Sequence, residues 1–143
     1  DGKAVAISYT NQIKIVLDSV EKLLGDEFNI PVQHEHSGNE SIVINPAEDT
    51  LISYTSDSQI RNYDIDIIYT MSKAGGFEHI KDHLTNRAER IKRLLFNNTD
   101  YQPSGTYKYH DGKVDSVTYS QDEDDLDLWM ANLTFSCTVH DLT

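Results

Sequence analysis

The chain has 143 residues, about one ordinary domain, and carries 24 Asp and Glu against 12 Lys and Arg for a formal net charge of −12. That sign excludes binding to nucleic acid by phosphate neutralisation and an anionic membrane surface as partner. Hydrophobic residues at 38 % suffice for a core, no apolar run is long enough to span a bilayer, and the single cysteine, Cys137, excludes an intramolecular disulfide framework and a thiolate zinc cage.

In chain order, residues 8–25 read as an amphipathic helix. Ile13, Val16, Leu17, Val20, Leu23 and Leu24 make one apolar stripe, Ser8 or Thr10 can cap the start, and Gly25 suits a left-handed end. Residues 29–36 and 41–45 are short β-branched runs around Ser37-Gly38-Asn39, expected to form a hairpin whose second strand ends at Pro46. The following stretch, 46–59, reads as acidic turn with a short strand near 51–54. Residues 62–71 alternate strictly, with Tyr63, Ile65, Ile67, Tyr69 and Met71 on one face and Asp64, Asp66, Ile68 and Thr70 on the other.

Gly75-Gly76 breaks the chain before a second helix over 77–96, whose stripe is Phe77, Ile80, Leu84, Ala88, Ile91, Leu94 and Leu95, with Asn97-Asn98 as its stop. Residues 106–120 are expected to form a hairpin turning at Asp111-Gly112. An acidic loop at 121–127 precedes a strand over 128–140, in which Trp129, Ala131, Leu133, Phe135, Cys137 and Val139 share a face. This order predicts one α+β domain over 1–143, a mostly antiparallel twisted sheet with both helices on one face. The two long alternating strands belong at its centre.

No catalytic signature is present, and the reading is of a non-enzyme without metal or cofactor. His79 and His83 stand four apart on the second helix, a workable ligand spacing, but Ile80 occupies the place where a zinc-protease motif has Glu. The acidic loop lacks the glycine of a calcium loop and reads as a solvated, self-repelling and mobile segment. Asp64 and Asp66 read as surface carboxylates rather than a general acid and base, Cys137 as core, and His34-Glu35-His36 as a strand without a third ligand. Three glycosylation-type triplets, beginning at Asn39, Asn97 and Asn132, read as chance in the absence of an export signal, and Asp1 at the start points to trimming or processing.

Charge placement is the informative anomaly. Residues 1–75 hold 5 basic and 12 acidic side chains, residues 97–143 hold 2 and 9, and residues 76–96 hold 5 and 3, so only the second helix is basic. Arg87 falls inside its apolar stripe and must snorkel, pair with a strand acid such as Asp64 or Asp66, or meet another chain. A basic helix on an acidic domain suits head-to-tail assembly, with Arg87, Arg90 and Arg93 against Asp122, Asp124 and Asp125 of a neighbour.

The opening helix with Ile13-Lys14-Ile15-Val16-Leu17, the strand Tyr63-Asp64-Ile65-Asp66-Ile67-Ile68-Tyr69, the long helix from His79 to Leu95 and the closing strand Leu128-Trp129-Met130-Ala131-Asn132-Leu133-Thr134-Phe135 resemble in order and pattern the tail-terminator and neck proteins of tailed bacteriophages. The resemblance implies a structural virion protein assembled in the host cytoplasm. It would form a homohexameric ring that caps the tail tube, docks the head connector and lets double-stranded DNA through without binding it specifically. No membrane is involved in that role. A head–tail adaptor, a head-completion protein and a tube subunit are the alternatives of the same class. A small metal-dependent hydrolase using His79 and His83 is the alternative of another.

Overall fold

The computed structural model describes residues 11–33, 39–73, 79–101 and 109–141. Two helices, α1 (Gln12–Glu27) and α2 (Ile80–Asn97), pack on five strands: β1 (Val32–Gln33), β2 (Glu40–Tyr54), β3 (Gln59–Ser72), β4 (His110–Gln121) and β5 (Leu128–Asp141). The sheet order is β1-β2-β3-β5-β4, antiparallel throughout except for the short β1–β2 pair. The α+β architecture read from the sequence is therefore the one found, with β3 and β5 at the centre.

Strict alternation explains why those two strands are central. Tyr63, Ile65, Ile67, Tyr69 and Met71 of β3, with Ala131, Leu133, Phe135, Cys137 and Val139 of β5, are all buried on one face. Onto that face α1 lays Val16, Val20 and Leu24, and α2 lays Leu84, Ala88, Ile91 and Leu95, in one continuous core.

The helix ends differ in detail from expectation. Asn11, whose side chain accepts from the Lys14 amide at 3.2 Å, caps α1, while Ser8 and Thr10 lie outside the described residues. Gly25 stays inside α1, which stops only at the extended Phe28. The start of the second helix at 77 and 78 also lies outside the described residues; its stop does not, and Asn98 Nδ2 donates to the Leu94 carbonyl at 2.9 Å.

Three strand expectations are corrected. The 29–36 run is not the first arm of a hairpin: its described part, β1, pairs parallel to β2 through Val32 with Ile42 and Gln33 with Val43. Pro46 does not end the next strand, for β2 runs on to Tyr54 with bulges after Pro46 and Leu51. Beyond Val43, β2 has no β1 partner, and an edge strand tolerates a residue with no N–H to donate.

Asp111-Gly112 is likewise not a hairpin turn. It forms a bulge within β4, where the register slips between His110 and Lys113 and Asp111 takes a left-handed φ of 52°. The true turn between the last two strands is the acidic run, while residues 106–108 of the expected hairpin lie outside the described part. Gly112 is needed there because a Cβ would sit 2.7 Å from the Tyr109 ring and 2.9 Å from that of Phe135.

Candidate self-assembly surfaces

The arginines of α2 divide by the helix wheel. Arg87, half-buried in the stripe, lies beside the Tyr69 hydroxyl, which itself donates to Glu40 Oε1 at 3.0 Å. Burial pushes the Tyr69 phenol well above its ordinary range and the Glu40 charge adds to this, while Arg87 opposes it. The expected pairing with Asp64 or Asp66 is not made. Those carboxylates have the register of the opposite sheet face, whereas Tyr69 points to the helices.

Arg90 and Arg93 are exposed. The Arg90 guanidinium lies 4.8 Å from the centre of the buried Phe28 ring, and that of Arg93 lies 5.6 Å from the centre of the Phe96 ring, so both planar cations are held over aromatic faces. Phe96 itself is 65 % exposed. With Lys92, Arg93, Lys113, Val114 and the Glu89 that pairs with Lys92, it lines a groove of about 350 Å³ between α2 and the start of β4.

The acidic run forms a hydrogen-bonded turn. Asp122 Oδ1 accepts from the amides of Asp124 at 2.8 Å and Asp125 at 3.0 Å, and Asp125 Oδ1 accepts from Asp127 at 3.1 Å. Backbone bonds from Asp122 to Leu128 and from Leu128 to Asp125 close it. Asp122 and Asp125 thus cap the turn as well as charging it. Within one molecule the run cannot reach the α2 groove: the groove's wall begins at Lys113, eight residues down β4 from Gln121, about 25 Å at strand rise. Opposite charges are held apart at opposite ends of the same strand.

A second exposed surface lies where the sequence reads as acidic turn with a short strand near 51–54. Past Ile44 every residue of β2 is exposed, and Leu51 (43 %), Ile52 (54 %) and Tyr54 (74 %) are large apolar side chains on that edge. The tip beyond them is tied by Thr55 N to the Ser58 carbonyl at 2.9 Å. Glu48, Asp49 and Asp57 make the segment acidic, with Arg61 paired to Asp49. A β-branched and aromatic cluster outside any helical stripe was the available signal. Phe96, equally outside the α2 stripe, was another.

Among the described residues the remaining sequence candidates stay apart. His79 stands at the α2 N-cap with a left-handed φ of 53°, so it and His83 do not share a regular helix face. No group of three His, Cys, Asp or Glu able to hold a metal occurs among the described residues, and the 34–36 triplet lies outside them. Asp64 and Asp66 sit on the open face of β3, Asp64 accepting from Asn62 Nδ2 at 3.0 Å. Ser136, across from Asp64, donates to Asp115 at 2.6 Å. Cys137 is fully buried, and burial pushes its thiol up to about 12, with the Asp64 charge adding. No family model matches the chain, and no curated protein matches its sequence.

Proposed function

We propose that this protein is a structural subunit that assembles head to tail into a closed ring, and that the ring is the tail terminator of a tailed bacteriophage. The observation that carries the ring reading is the separation of complementary surfaces on one rigid sheet. The basic, aromatic α2–β4 groove flanks one edge strand, and the acidic, apolar half of β2 forms the other edge. Unlike patches on opposite edges make heterologous contacts, which close into rings when the rotation permits.

The phage role rests on the resemblance in element order and on charge. The open sheet face carries Glu48, Asp64 and Asp66 among Thr, Ser and Asn side chains, a wall that repels duplex DNA passing through a lumen. Other neck or tail components share this logic, and six-fold single rings in negative stain separate a terminator from a twelve-fold adaptor or a tube filament. The alternative of another class, a hydrolase with a metal on His79 and His83, is tested by metal content after purification.

The test reverses Arg90 and Arg93 together to Glu. The exposed positions leave the fold intact by circular dichroism, and sedimentation shows rings giving way to smaller species. A double variant that assembles like the parent would remove α2 from the contact.

A further inference from the structure

Resting on the ring reading, we infer that residues 48–54 of β2 in one copy seat in the α2–β4 groove of the next, so that the acidic partner of α2 is this edge and not the 122–127 turn. Three observations converge. The first is apolar complementarity: Leu51, Ile52 and Tyr54 are exposed on the segment, and Phe96 and Val114 line the groove. The second is charge. The segment and its tip present Glu48, Asp57 and the Arg61-paired Asp49, and the groove presents Arg93 with Lys92 and Lys113, which pair within the molecule with Glu89 and Asp111.

The third is level. Leu51 pairs with Arg61, which pairs with Val139, whereas Val114 pairs with Phe135. The two surfaces therefore lie within four residues of each other along β5, on opposite sheet edges. The acidic turn instead closes onto Leu128, seven residues before Phe135, toward the other end of β5. Copies side by side in one ring plane bring the β2 edge to the groove without a large axial offset. The turn faces a different layer of any assembly.

Two singly substituted full-length chains with different tags, Ile52→Cys and Phe96→Cys, are mixed, allowed to assemble and treated with a short bis-maleimide. Cys137 is buried and its thiol stays protonated, so it does not react in the folded chain. The expected product is a covalent pair carrying both tags, absent when either variant is treated alone. In parallel, Ile52→Asp weakens self-association in sedimentation about tenfold or more, as loss of a buried apolar anchor does. Rings without mixed cross-links, or same-tag pairs dominating, overturn this contact and leave the ring reading standing. A parent chain that stays monomeric at every concentration overturns both.

Discussion

The two faces of β3 and β5 share a backbone and have almost nothing else in common. Between Tyr63 and Met71 and between Ala131 and Val139 every side chain on the helix-covered face is buried, and its polar atoms are the Tyr63 and Tyr69 hydroxyls and the Cys137 thiol. On the open face the same strands offer Asn62, Asp64 and Asp66, with Asn132, Thr134 and Thr138, half-buried and polar. Folding is therefore decided on one side, and the other is left to interact. The comparison becomes quantitative when neighbouring residues of one strand are truncated. Leu133→Ala removes a fully buried side chain and costs about 3 kcal/mol in denaturant unfolding. Thr134→Ala, one residue on, stays within about 0.5 kcal/mol. Equal costs at the two positions would mean that the open face is covered in solution.

The bulge in β4 sharpens the contrast at its weakest point, where backbone approaches core. A Cβ at Gly112 meets two aromatic rings that are themselves packed edge to face, with Tyr109 and Phe135 centroids 5.4 Å apart. Gly112→Ala should cost about 2 kcal/mol, the range for overpacking a filled site. An unchanged denaturation midpoint would show that the Tyr109 ring swings aside freely.

A smaller difference is written in protons. A thiol raised from 9.0 to about 12 by folding is held protonated by the covered face, while the unfolded chain releases that proton. Stability therefore falls as pH climbs through 9.0 and levels off near about 12, a loss of about 1.4 kcal/mol by pH 10 from this group alone. The measurement is the alkaline slope of unfolding free energy, which should be shallower in Cys137→Ala than in the parent. Identical slopes would place Cys137 in contact with water.

Much of this was legible in advance. Helical stripes and strict alternation report burial directly, and so α1, α2, β3 and β5 were all readable from Val16, Leu84, Ile65 and Leu133 with their neighbours. The misreadings cluster at punctuation. Pro46, Asp111-Gly112 and the acidic run each state a local backbone preference, and none states which strand lies alongside. A proline fits an edge as well as an end, and a left-handed Asp fits a bulge as well as a hairpin turn. Arg87 was readable as a buried cation in need of a partner. Its partner, Tyr69, could be chosen over Asp64 only once the helices were known to cover the odd-numbered face of β3. The basic character of α2 was visible, but its groove needs β4, and nothing local in Phe96 points to Val114.

The smallest effect probes a polar atom near the bulge that has no partner among the described residues. Tyr109 is fully buried, stacked on Tyr101 with centroids 5.8 Å apart, and its hydroxyl makes no hydrogen bond among the described residues. Burial accordingly pushes its phenol well above the ordinary range. An orphan hydroxyl carries a desolvation penalty with nothing to offset it, so Tyr109→Phe keeps the ring packing and removes the penalty. The expected change lies between zero and about 1 kcal/mol of added stability. This sign is opposite to that expected for Leu133→Ala and Gly112→Ala, which makes it informative despite its size. A clear loss of stability would mean that the hydroxyl is bonded to a buried water, and the covered face would then be wet at the place where Gly112 brings the backbone closest.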